Sequence, residues 1–159
     1  MAGDIFAKIG DIKGESQDPR HRDEIEVLSW SWGVMQSVAP STRTGGGSGK
    51  ATFLDLTFVH KLDKASPILF KTCATGTHMP EAVLTVRKAG GGQQEYLVVK
   101  MSEVVITGVQ TSVSGGPDLS ETVSLTFAKV ELEYRPLKPD GSLDVGVVFK
   151  YDLKQNRIF

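Results

Sequence analysis

The chain has 159 residues with 18 basic and 19 acidic side chains, a formal net charge of -1. That balance excludes the basic footprint expected of a nucleic-acid or anionic-membrane binder, and no run approaches the roughly 18 apolar residues of a membrane-spanning helix. One cysteine, Cys73, excludes an internal disulfide and fits a reducing compartment. The length suits a single domain, 1–159, able to bury roughly 70% of its unfolded surface. The opening MAGDIFAKIGDIKGE carries Asp4 and lacks a signal-peptide apolar run, so synthesis and folding are expected in the cytoplasm.

Alternation of β-branched and aromatic residues with polar ones predicts strands near 4–12, 24–35, 51–62, 82–88, 95–109, 121–135 and 146–157. Glycine-rich clusters punctuate them: PSTRTGGGSGK from Pro40, AGGGQQ from Ala89, SGGPD from Ser114 and KPDGS from Lys138. The stretch 38–50 is read as a long loop within one domain. One segment departs from period two. After Asp63, Ser66 can cap, Pro67 suits a first helical turn and Gly76 a helix end, which predicts a helix over about 66–75.

The second strand, DEIEVLSWSWG, changes phase. A bulge at Val27 and Leu28 would keep Ile25, Val27, Trp30 and Trp32 inward and turn Glu24, Glu26, Ser29 and Ser31 outward. The same slip recurs in ETVSLTFAKVELEY, where Val123, Leu125 and Phe127 hand over to Val130, Leu132 and Tyr134. Trp30, Trp32, Phe127 and Tyr134 are thus candidate core residues. Two long bulged strands imply an antiparallel sheet bent toward a barrel. The outward serines beside two tryptophans suggest a smooth polar surface such as the wall of a passage.

Catalytic patterns are weak. TGGGSGKA lacks the glycine, the hydroxyl residue and the following helix of a phosphate-binding loop, having Thr44 and Ala51 instead. Cys73, His78 and His60 read as a buried thiol with unrelated histidines, and His21 in DPRHRDEIE as part of a solvated loop. No G-x-S-x-G elbow occurs. No catalytic residue, metal site or cofactor is expected.

The ordered motifs GDIKGESQD (10–18), DEIEVLSWSWG (23–33), GGGSGK (45–50), KASPILFKTCATGTHMPEAVLTVRKAGG (64–91), EYLVVKMSEVVITGV (95–109) and DLSETVSLTFAKVELEYRPLKPDGS (118–142) closely resemble the Hcp family, the haemolysin-coregulated proteins. The resemblance implies a tight antiparallel β-barrel of two sheets with one flanking helix. It also implies homohexameric rings stacked as the inner tube of the type VI secretion system. Such a tube is capped by a VgrG-type spike, lies inside a contractile sheath, and is secreted on contraction without a cleavable signal peptide. Its lumen can hold and protect small effectors. Ser29 and Ser31 fall in the stretch that contributes to the lumenal sheet in this family. Thr44, Gly45, Gly46, Gly47 and Ser48 fall in the family's extended arm toward an adjacent ring. Neither nucleic acid nor membrane insertion enters this reading. The rival reading, a small-ligand-binding barrel, requires a cavity that Trp30, Trp32, Phe53, Phe127 and Tyr134 would fill.

Overall fold

The segment GDIFAKI alternates so that Ala7 and Ile9 point into the core while Asp4 and Lys8 stay exposed, and it forms strand β1 (Gly3–Ile9). The structure, a computed structural model, describes residues 3–37, 50–90, 92–113 and 118–159. After β1 come β2 (Ile25–Val27), β3 (Ser29–Ser31), β4 (Val34–Gln36), β5 (Ala51–Phe53), β6 (Leu56–Lys61), α1 (Ser66–Thr75) and β7 (His78–Lys88). The chain then runs through β8 (Glu95–Val113), β9 (Leu119–Tyr134), β10 (Val147–Asp152) and β11 (Arg157–Ile158).

Every strand pair is antiparallel. The main sheet runs β11-β10-β9-β8-β7-β1-β2, and β9 also pairs β6, which pairs β3. Only Leu28 separates β2 from β3, so the hydrogen-bonded circuit β2-β1-β7-β8-β9-β6-β3 returns to its starting point around one core. Ile9, Ile25, Leu56, Phe58, Leu69, Val99, Val104 and Val123 fill that core, each fully buried. At about 25 cal/mol per Å² this apolar burial is the main force holding the circuit closed. The mainly β fold with one helix agrees with the sequence reading.

The phase change at residue 28 is present, but its cause is an exchange of partners rather than a bulge against one partner. β2 pairs β1 (Ile5↔Val27), whereas β3 pairs β6 (Trp30↔Phe58). Leu28, 57% exposed, sits on the corner, and its N–H donates to Val59 O at 2.7 Å. Corners of this kind let a strand pass from one part of a sheet to another while keeping its apolar side inward. The predicted strand 24–35 is accordingly three short strands, and 51–62 breaks into two at Leu54 and Asp55.

The second slip lies where Phe127 and Ala128 are both buried. On the paired strand β8 the buried positions change from Val99 and Met101 to Val104 and Ile106. The intervening Glu103 has φ 52°, a left-handed conformation that disfavours side chains larger than glycine. Both strands of the ladder therefore turn together. On the far side of β9, β6 pairs up to Leu125 and β10 takes over from Lys129.

Three local expectations need correction. Helix α1 begins where predicted, but Ala65 is its N-cap; Ser66 is buried inside it, with Oγ accepting from Asp63 N–H at 3.2 Å. Asp63 Oδ1 accepts from Ala65 N–H at 2.9 Å instead. Gly76 ends the helix at φ 64°, donating to Cys73 O at 3.1 Å, as its position implied. Tyr134 is not a core residue: at the end of β9 it is 46% exposed, with its ring edge-on to Tyr96 and centroids 6.4 Å apart. The predicted terminal strand 146–157 is divided into β10 and β11 by a turn.

Candidate functional site

The outward face of β3, β6 and β9 continues the serine face of the second strand. Ser31 stands opposite Thr57, which stands opposite Ser124. One rung along, Ser29 pairs Val59, which pairs Thr122, which pairs Gln110 on β8. The next rung carries Lys61, Ser120 and Ser112. Hydroxyls partly satisfy one another: Thr57 and Ser124 lie 3.1 Å apart, and Ser112 and Ser120 3.3 Å. Ser29 and Ser31 are exposed on this face. Behind them Trp30 and Trp32 are half-buried and pack against the core, with Trp32 near Phe53 and Phe127 at 5.9 and 5.8 Å. Phe127 itself is buried. Alternation alone separates the two chemistries, because successive side chains of a strand leave from opposite faces.

Beneath the hydroxyl face lies a charged pair. His60 and Glu121 are fully buried opposite one another, with Nε2 and Oε1 2.8 Å apart. His60 Nδ1 lies 3.7 Å from Asp63 Oδ2, an ion-pair contact too long for a hydrogen bond. Burial alone would lower the His60 pKa, but Asp63 and Glu121 outweigh it and hold it above the ordinary 6.5.

A second polar cluster lies outside the core, where the loop after β1 folds over β1 and β7. The Arg87 guanidinium sits 4.9 Å over the Phe6 ring, and His21 stacks on Phe6 with centroids 4.4 Å apart. Arg87 Nη2 donates to Asp4 at 3.0 Å and to Asp18, and this contact holds the Asp18 carboxyl down to about 2. His21 is not solvated: it is 7% exposed, with Nδ1 3.0 Å from Glu24 and Nε2 2.6 Å from Glu95. The sequence reading missed this cluster. Its partners lie far apart in the chain, and only the register Asp4↔Arg87 brings them together.

Of the other candidates, Cys73 is half-buried and His78 exposed at the start of β7. Among the described residues no group of three His, Cys, Asp or Glu side chains is placed to hold a metal ion, and no helix is long and apolar enough to cross a membrane. Thr44, Gly45, Gly46, Gly47 and Ser48 lie outside the described residues; β4 and β5 pair on either side of them, with Gln36 opposite Ala51.

Among the described residues this mainly β protein presents a hydroxyl-bearing sheet face bordered by strands that pair on one side only. Residues 6–134 match the family described as "Type VI secretion system effector, Hcp". The protein hcp1 of Pseudomonas aeruginosa is 48% identical over 98% of both chains. Hcp1 of Salmonella typhimurium superposes with a TM-score of 0.78 at 38% identity, covering all of both chains. A structure described as a type six secretion system protein gives a TM-score of 0.92 at 26% identity, over 99% of this chain and 100% of its own. The chain belongs to the Hcp family of secreted type VI secretion system proteins.

Proposed function

We propose that this chain is the structural subunit of a type VI inner tube: one domain that closes into homohexameric rings, which stack and are driven out when a contractile sheath shortens. A VgrG-type spike caps the tube, and effectors travel in its lumen, shielded from proteases. Ser29 and Ser31 face that lumen, and residues 44–48 reach toward the neighbouring ring. The subunit works mechanically and performs no covalent step.

The observation that carries this reading, in a chain of the Hcp family, is the pair of strands that use only one side. Among the described residues β3 pairs β6 alone over Ser29–Ser31, and β10 pairs β9 alone over Val147–Lys150. Exposed Val34 and Met35 follow β3, and exposed Val145 and Val147 flank the start of β10. Unpaired edges beside exposed apolar side chains invite pairing with another copy. Two different edges give a heterologous contact, which makes a ring if the rotation closes. A small-ligand barrel fits less well, since fully buried Leu56, Phe58, Val99 and Val123 occupy the space a ligand would need. The test is solution mass by light scattering with negative-stain imaging. Rings of six copies are expected, and a monomer throughout the micromolar range would overturn the proposal.

A further inference from the structure

Beneath the hydroxyl face, His60 stands between two carboxylates that come from different parts of the fold. Glu121 on β9 is fully buried, and its Oε1 lies 2.8 Å from His60 Nε2. Its Oε2 has no hydrogen-bond partner among the described residues. On the other side of the ring, Asp63 Oδ2 lies 3.7 Å from Nδ1, which also makes no hydrogen bond among the described residues. Asp63 belongs to the start of α1. Its Oδ1 accepts from Ala65 N–H at 2.9 Å, and its own N–H donates to Ser66 Oγ at 3.2 Å. Such reciprocal bonds hold the first turn of a helix in the manner of a capping box. One carboxyl group thus serves the helix through one oxygen and faces the imidazole with the other.

Carboxylates only accept, so each ring nitrogen attracts its carboxylate only while it carries a proton. A charged ring carries both protons. A neutral ring keeps one, and its lone pair then faces the other carboxylate. The remaining proton belongs on Nε2, because Glu121 is wholly buried with no other partner among the described residues, and an unpaired buried carboxylate is costly. Asp63 keeps 12% of its side chain exposed and lines an open cleft, so it can turn to solvent. Burial works to discharge the ring, but Asp63 and Glu121 outweigh it and hold its pKa above the ordinary 6.5. The cations that line the same cleft are engaged elsewhere, Lys61 with Asp118 and Arg87 with Asp4 and Asp18. Glu15 meets the helix start from the loop after β1, accepting from Lys64 N–H at 2.7 Å. We propose that His60 is a proton-operated clamp between the hydroxyl-bearing sheet and α1: the charged ring holds Asp63 in its capping position, and the neutral ring releases it, so that the first turn of the helix opens while the sheet stays paired.

Amide hydrogen exchange tests it. Rates corrected for their intrinsic pH dependence give protection factors for Leu69 to Cys73 in α1 and, as an internal reference, for Val123 to Phe127 in β9. A raised pKa keeps the ring charged at the lower pH and discharges it as pH rises. Between about pH 6 and about pH 9 the protection of α1 in the wild type should therefore fall by at least about tenfold, while the β9 reference stays level. Asp63→Asn keeps a carbonyl oxygen for Ala65 N–H but removes the charge that senses the ring, and it should lose this pH dependence. Wild-type α1 protection that is constant with pH would overturn the clamp. So would a β9 reference that falls in parallel, or an Asp63→Asn protein whose α1 protection falls as steeply as that of the wild type.

Discussion

Strands β8 and β9 run side by side through both halves of the molecule, yet the two halves wear different outward faces. Toward β10 the rung is Lys100, Glu131 and Lys150, a row of alternating charge in which each residue stands opposite an unlike neighbour. Toward β6 the corresponding rungs carry Ser31, Thr57 and Ser124, then Ser29, Thr122 and Gln110. Both inward faces are built mainly of apolar side chains, Val99, Met101 and Val130 under one half and Phe58, Val123 and Leu125 under the other, with the buried His60–Glu121 pair added under the hydroxyl half. Outward chemistry here is therefore independent of what the core requires. This face carries mostly hydroxyls, with Val59 and Lys61 the exceptions, where the other half carries alternating charge.

The largest effect should come from the core that both halves share. Phe58→Ala empties a fully buried site and should cost about 3 to 5 kcal/mol, out of a total stability of typically about 5 to 15. Chemical denaturation should show the midpoint falling with an unchanged slope; a shift of only a few tenths of a kcal/mol would mean that the hydroxyl half is not built on this core.

The buried His60–Glu121 pair belongs to the hydroxyl half alone and should give it a pH dependence. A group whose folded pKa is raised contributes stability that is complete below its unfolded value and fades as pH rises through the folded one. His60 is raised above 6.5. The melting temperature of the wild type should therefore exceed that of His60→Gln most on the acid side of 6.5, with the gap narrowing as the solution becomes alkaline. A gap that is constant with pH would remove the charged pair from the account.

The boundary between the halves offers the smallest test. At φ 52° Glu103 occupies a conformation that β-branched residues resist. Glu103→Val should cost about 1 to 3 kcal/mol through that strain, whereas Glu103→Gly should be nearly neutral, since glycine loses strain but also loses the 2.9 Å ion pair with Lys154. Equal melting temperatures for the two variants would show that the ladder does not turn at this residue.

Period-two patterning and the residues that stop helices are local signals, and they carried the sequence reading a long way. Pro67 and Gly76 bracketed α1 correctly, and the phase changes near residues 28 and 128 were legible as changes of phase. Their cause was not, because a bulge and an exchange of partners leave the same one-residue slip in sequence. Only the pairing of β2 with β1 and of β3 with β6 distinguishes them. Tyr134 continued an inward period past the point where anything covers it. The matching slip on β8 passed unnoticed because Ser102 and Glu103 look like ordinary outward residues. The Arg87, Asp4 and Asp18 cluster and the His60–Glu121 pair depend on contacts between residues 61 to 83 positions apart, for which no local pattern exists.

The central claim is that the serine face lines an enclosed passage. It is tested most directly by the reactivity of Ser31→Cys, in a Cys73→Ser background, toward a small maleimide and toward one joined to a bulky polymer. In the assembled protein the small reagent should label position 31 fully while the bulky one is excluded. Rapid labelling by both reagents would contradict the account, because it would place this face on an open surface.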